Sequence, residues 1–299
     1  MGTKRDTPIG PFSGSCYWCS ALADSDEDII SQWIERELAP PPALVVGQPR
    51  LQKYEHGRVH RWHIQRLATK KIRVRAVCRR CNNGWMSRQE TTVQPLLAPL
   101  IRGHGRRLSH QDQLEIAFWA SIKSAVCDAR PGSTDGGLAS EATRESIYVQ
   151  HRPPDDMLVR LAAYEGAYDV RLMSPWSVGQ GSAGQPLAQW ATTIVLGHLV
   201  VQVVGRTGSV HAHVLDQLSG GVHDGRSFTI WPPQPSSVEW PPREILTAET
   251  LVPFATELLP GVDLPDDSLF NGHQHPCPAC GEEHGPFVRA LPVPEATDT

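Results

Sequence analysis

Residues 78–88 read CRRCNNGWMSR, a Cys-x-x-Cys pair that runs directly into a polar turn and then an apolar-periodic stretch. Two thiols at this spacing can grip one metal ion, and zinc takes four such donors at tetrahedral corners. Cys16 and Cys19 form a second pair of the same spacing, which completes a tetrahedral set if the fold brings it across the 58 residues between Cys19 and Cys78. That gap exceeds the spacing of a compact zinc ribbon, so a helix and a basic hairpin are expected to fill it. The redox alternative for Cys-x-x-Cys needs a thioredoxin-like βαβ context, and the sequence shows none. Cys16, Cys19, Cys78 and Cys81 are therefore expected to hold structural zinc.

Working outward from this set, DSDEDIISQWIERELA (24–39) carries Ile29, Ile30, Trp33, Ile34 and Leu38 near helical spacing, and Pro40–Pro42 end the run. RVHRWHIQRLATKKIRVRAVC (58–78) alternates partly between apolar and basic residues, which predicts one or two strands leading into Cys78. Residues 82–101 read as a helix interrupted near Pro95. Residues 109–129 read as a stronger helix with Leu114, Ala117, Phe118, Ser121, Ile122 and Ala125 on one face and Ser109 as its cap. Cys127, the seventh cysteine, falls in this apolar run and reads as a small buried side chain.

A linker is expected at 129–140, ARPGSTDGGLAS. Beyond it ATTIVLGHLVVQVVG (191–205) and SFTIWPP (227–233) predict buried strands, WPPQPSSVEWPP (231–242) an extended surface segment, and 247–259 a short helix. The fold class expected is α+β: a zinc-stapled domain at 10–128, an α+β region at 141–260, and a tail at 261–299. The tail carries HQHPCPACGEEH, where Cys277, Cys280, His275 and His284 offer a second zinc site; the alternatives are free thiols or a pairing with the N-terminal cysteines.

At 299 residues and 40% hydrophobic content the chain can fill a real core. Its sequence holds no run of 18 apolar residues and no apolar leader after MGTKRDTPIG, so a soluble cytoplasmic protein is expected. The net charge of −4 conceals an asymmetry. Residues 50–110 hold 15 Lys and Arg against Glu55 and Glu90, an excess of +13, which leaves −17 for the remainder. A basic block in an acidic chain is the footprint of a polyanion partner, nucleic acid being the commonest; a solvated basic face is the alternative. Lys70, Lys71, Arg73, Arg75, Arg79 and Arg80 run straight into the second cysteine pair and are the expected phosphate contacts.

These residues resemble a bacterial and phage group of HNH endonucleases. The likeness rests on C-x-x-C, an acidic residue followed five positions later by Trp, a basic hairpin, and Cys78-Arg-Arg-Cys81-Asn82-Asn83-Gly84-Trp85-Met86-Ser87, and it covers residues 16 to about 125. It implies a ββα element that holds one divalent metal, magnesium or manganese, on the scissile phosphate, with the cysteine-bound zinc as a separate staple. Carried over, Glu27 is the acidic metal ligand, Asn82 the amide ligand, and Asp28 stands where the family has its catalytic His. The Pro expected three residues after that His is Ser31 here. Aspartate, with an ordinary pKa near about 3.9, is a weak base at neutral pH. The resemblance thus implies a metal-dependent DNA endonuclease or, with the base changed, a nucleic-acid-binding protein on the same scaffold. A zinc-stabilised module for a protein partner is a third reading. Ser25 to Asp28 also matches a helix-capping box, in which case both acids serve only the helix dipole.

Overall fold

The computed structural model describes residues 14–38, 43–54, 57–68, 73–129, 140–166, 170–174, 176–180, 186–206, 225–257 and 287–288. Lys70, Lys71 and the cluster His275, Cys277, Cys280 and His284 lie outside these residues, as does most of the expected linker. The architecture is α+β.

Strand β1 (Ser25–Asp28) pairs antiparallel with β4 (Arg73–Val77). Between them come helix α1 (Gln32–Glu37) and a hairpin of two twelve-residue strands, β2 (Ala43–Tyr54) and β3 (Gly57–Ala68). The capping-box reading of Ser25–Asp28 is corrected here. Those residues are extended, and the helix starts later, after Ser31, whose side chain makes no cap hydrogen bond. The alternation of inward Glu27 with outward Asp26 and Asp28 favours a two-residue period over the helical one.

After β4, Cys78 is the N-cap of a short turn of helix, α2 (Arg79–Cys81). A wide-turned stretch at Asn82–Met86, broken at Gly84, leads into α3 (Ser87–Ile101). The expected interruption at Pro95 does not occur: α3 runs through Pro95 and Pro99. Pro99 has no N–H to give to the Pro95 carbonyl, and the Arg106 guanidinium donates to that oxygen instead at 2.8 Å. The helix stops where Gly103 takes φ +77°, with Gly103 N–H on Leu100 O and His104 N–H on Pro99 O, a Schellman ending.

Helix α4 (His110–Asp128) is the centre of the molecule. Ser109 caps it reciprocally with Asp112, as expected. Its buried residues extend around most of its circumference from Ile116 to Cys127, because it lies between the β1–β4/α3 layer and the main sheet. That sheet runs β11 (Ser227–Trp231), β6 (Met157–Tyr164), β10 (Leu199–Arg206), β9 (Pro186–Leu196), β7 (Val170–Met173), β2, β3, β14 (Phe287–Val288), with β8 (Trp176–Gln180) beside β9 and β13 (Ile245–Leu246) beside β6. Alternate residues of β6 serve two cores. Met157, Val159, Leu161 and Ala163 join the α4 side, while Ala162 and Tyr164 pack with Leu251 and Phe254 of α6 (Ala248–Thr256) on the other. Gly205 is required where β10 passes the Trp190 ring, since a Cβ there would lie 2.2 Å from it. Helix α5 (Glu141–Tyr148) packs against α4.

Two further differences from the sequence reading concern elements that cross the chain. The β2–β3 hairpin joins the main sheet through parallel pairing of β2 with β7, so residues 43–68 share a sheet with strands from beyond the expected linker. The hydrophobic cluster is likewise continuous from Cys16 to Trp240. The proline-rich tract is anchored rather than superficial. Strand β12 (Val238–Trp240) pairs with β5 (Arg106–Leu108), Trp231 and Trp240 are buried, and the buried Gln113 amide donates to Ser236 O at 3.0 Å and accepts from Gln234 N–H at 2.9 Å. Among the described residues no helix is long and apolar enough to cross a membrane.

Candidate functional site

The four N-terminal cysteines converge. Their Sγ atoms all lie within 4.8 Å of one another, with Cys19 at 3.6 Å from both Cys78 and Cys81. A tetrahedron with Zn–S bonds of about 2.3 Å has edges of about 3.8 Å, so the sulfurs stand close to the spacing a single ion requires. Local backbone geometry sets them there. Cys16 and Cys19 sit on a tight knuckle in which Ser20, at φ 59°, turns its N–H back to Cys16 O at 3.2 Å, and Tyr17 N–H reaches Ala76 O of β4 at 2.7 Å. Cys78 and Cys81 bracket the first turn of α2, whose Arg79 N–H is received by the Asp24 carboxylate at 2.8 Å.

Burial raises the pKa of the Cys16 and Cys81 thiols. At Cys78 burial acts the same way but is outweighed by hydrogen bonds from the Cys81 N–H and the neighbouring thiols, and the net shift is downward. Burial thus favours the protonated thiol at Cys16 and Cys81, and a dication is what converts such buried thiols to thiolates. Cysteine-only donors suit a closed structural zinc site. Trp18, Trp85 and Phe118 pack beside it, with Trp18 and Trp85 edge-to-face at 5.5 Å. Trp85 and Met86 are core residues, and so, as expected, is Cys127.

The three residues expected to form a second, catalytic metal site do not meet at an open position. Glu27 faces inward and is 7% exposed; its Oε1 accepts from Lys123 Nζ at 2.8 Å. Lys123, itself 1% exposed, also lies 2.8 Å from Glu90 Oε1 and donates to Asp28 O at 3.0 Å. Glu90 in turn receives the indole N–H groups of Trp33 at 2.6 Å and Trp119 at 3.0 Å. Burial pushes the Glu27 carboxyl above the usual carboxylate range despite Lys123. At Glu90 burial is the largest influence, but Lys123 and the donors around it prevail and the pKa falls. The two acids hold Lys123 above its ordinary value against burial.

Asn82 uses its amide on the protein: Nδ2 donates to Ser25 Oγ at 2.8 Å and to Asp26 O at 3.3 Å, tying the start of the helical run to β1. Asp28 lies on the outer side of β1, where its Oδ1 receives Arg73 Nε at 2.7 Å. Its neighbours repeat the arrangement, with Asp26 on Arg75 at 2.8 Å and Asp24 near Arg79 at 3.7 Å. Three of the expected phosphate-contacting arginines therefore have acidic partners within the chain, while Arg80 is exposed.

Lys123 and Glu90 were not singled out by the sequence reading. The signal was present in FWASIKSAVC, where a lysine sits among small and apolar residues on a helix buried nearly all round. A long cationic side chain there needs an acid at its tip.

Compared with known protein families, curated proteins and solved structures, the chain matches none.

Proposed function

We propose that the chain is a nucleic-acid-binding protein on a zinc-stapled scaffold of HNH type, one that does not hydrolyse its ligand. The arrangement of a cysteine knuckle, an antiparallel strand pair and a helix that opens on the second cysteine pair supports the HNH-type reading. The +13 excess of residues 50–110 supports a polyanion partner. The observation that carries binding over cleavage is the 2.8 Å contact of Lys123 Nζ with Glu27. A magnesium or manganese ion needs an available carboxylate oxygen, and here the buried Lys123 ammonium already occupies that place on Glu27. A second cation beside it would be repelled at short range in a medium of low polarity. Asp28 would have to release Arg73 before serving as a base.

The test is a pair of assays on zinc-containing protein. Supercoiled plasmid with magnesium or manganese is expected to stay intact, while duplex DNA is expected to bind with an affinity that falls steeply as salt rises. Nicking that co-purifies with the protein and disappears in Asn82→Ala would restore the endonuclease reading, with Glu27, Asp28 and Asn82 in the roles the resemblance implies.

A further inference from the structure

The arginines on either side of the second cysteine pair are not all engaged by the rest of the chain. In the β1–β4 ribbon Arg73 and Arg75, and just beyond it Arg79, each meet an aspartate. Further on, Arg102 meets Glu37 and Arg107 meets Glu239. Between these groups Arg80 and Arg88 are exposed and, among the described residues, face no acid. They flank the wide-turned stretch Asn82–Met86, a kind of turn that is frequent at functional sites when set within helices. The exposed positions of residues 80–88 are Arg80, Asn83, Ser87 and Arg88, while the one acid of residues 79–107, Glu90, is committed to Lys123. A Cβ built on Gly84, midway between the two arginines, would meet nothing within 4 Å, so the backbone there is open to close approach from outside.

A second observation comes from the far side of the same turn. The buried Trp85 ring receives the edge of His151 at 5.6 Å and packs against Tyr148 at 6.0 Å. His151 is exposed and holds φ at 51°, a left-handed conformation that is costly for a side chain with a Cβ and persists where the surroundings impose it, often at binding sites. Here it sets an imidazole, with its N–H donor, beside the arginine-bearing turn. We infer that the phosphate backbone of nucleic acid is received on this face, with Arg80 and Arg88 on separate phosphates either side of the open position at Gly84 and His151 at its edge. Eight residues of helix rise about 12 Å, against about 3.4 Å of duplex axis per phosphate of one strand, so the two guanidinium forks reach different phosphates. The inference rests on the nucleic-acid reading above and adds where the backbone lies. Such contacts supply affinity and register, not sequence readout.

The experiment is a salt series of binding by zinc-containing, full-length protein to a fluorescent DNA duplex and an RNA duplex of equal length, the tighter of which names the source of the phosphodiester backbone. Arg80 adjoins Cys81, so its charge also serves the metal site; Arg88 does not, and each is therefore changed alone as well as together, with zinc content and unfolding midpoint matched to the parent. Arg80→Gln and Arg88→Gln are each expected to weaken binding and to flatten the slope of log K against log salt by about 0.9, and the double variant by about 1.8. His151→Asn keeps a residue that tolerates the left-handed conformation and is expected to weaken binding with the slope unchanged. Arg243→Gln, at an exposed arginine between β12 and β13, is expected to leave the slope at the parent's value. An unchanged slope in Arg88→Gln, or an equal flattening in Arg243→Gln, overturns the inference and leaves the nucleic-acid reading in place. Absence of binding by the parent to either duplex even at low salt removes that reading itself.

Discussion

Strand β1 places chemically similar ion pairs on its two faces, and their surroundings set them apart. Inward, Glu27 meets Lys123 at 2.8 Å with both side chains nearly free of solvent; outward, Asp26 meets Arg75 at the same 2.8 Å with side-chain exposures of 29% and 51%. At equal distance the attraction between unit charges varies inversely with the effective dielectric, about fourfold stronger near a protein surface than in bulk water and stronger still inside. The inner set is also costly to desolvate, and it holds because every member is matched: Lys123 by Glu27, Glu90 and Asp28 O, and Glu90 by two indole N–H groups. Within one four-residue strand, then, the inward acid fixes the layer to α4 and the outward acids neutralise a surface.

The largest effect should come from opening the cysteine site that joins the N-terminal knuckle to α2. Cys78→Ser is expected to abolish zinc retention and to open both faces at once. At a structural site the metal's binding free energy is folding free energy, about 10–16 kcal/mol in zinc-finger peptides. Hydrogen exchange should accelerate across residues 14–38 and 73–101, while β6, β9 and β10, packed between α4 on one face and α6 on the other, remain protected. Retained zinc, or unchanged exchange near the cysteines, would show that the apolar contacts of Trp18, Trp85 and Phe118 hold this layer unaided.

Next in size is the inner face alone. Lys123→Met leaves two buried carboxylates without their cation and is expected to cost about 3–5 kcal/mol in urea unfolding. Combining it with Glu27→Gln and Glu90→Gln should recover part of the loss, because no unpaired charge then remains inside. The two acids also separate by pH. Glu90 has a folded pKa below its unfolded value, so its contribution is present above the ordinary glutamate range and is lost as pH falls through the folded value. Glu27 is shifted the other way, so its contribution is greatest at low pH and declines as pH rises through its folded value. Glu90→Gln should therefore flatten the acid limb of the stability curve, and Glu27→Gln should not. The converse result would reverse which acid carries the stable charge.

How much of this was legible beforehand depended on whether the signal was local. The Cys-x-x-Cys pairs, the Ser109 cap and the strands ending at Val77 and Trp231 were readable because spacing, cap chemistry and alternation are properties of short segments. The start of α1 was misjudged because Ile29, Ile30, Trp33 and Ile34 satisfy a helical period that the pairing of β1 with β4 overrides. Pro95 misled because the guanidinium of Arg106, which takes up the carbonyl exposed by Pro99, lies beyond the helix in sequence. Glu27 and Asn82 were singled out through the resemblance, which gave them to a metal. Their partners within the chain, Lys123 and Ser25, are 96 and 57 residues away, and the lysine meets Glu27 only once α4 packs beneath the ribbon. The alliance of β2 with β7 is equally non-local, joining residues on either side of the expected linker.

The smallest effect is expected on the outer face, and it sharpens the contrast with the inner one. Arg75→Gln and Asp26→Asn remove the two ends of an exposed pair that pays side-chain entropy for a solvent-screened attraction. A double-mutant cycle should find a weak coupling at low salt that vanishes once the Debye length falls well below about 10 Å, whereas coupling between Lys123 and Glu27 should persist unchanged through the same series. The same variants bear on the ligand surface. If the ribbon were the polyanion site, Asp26→Asn would free Arg75 for phosphate and Arg75→Gln would then cancel the gain. If the site lies elsewhere, both changes act only through long-range charge, so their opposite effects on DNA affinity should be small and simply additive. A strongly non-additive pair in the DNA-binding cycle would place the surface on β1 and β4.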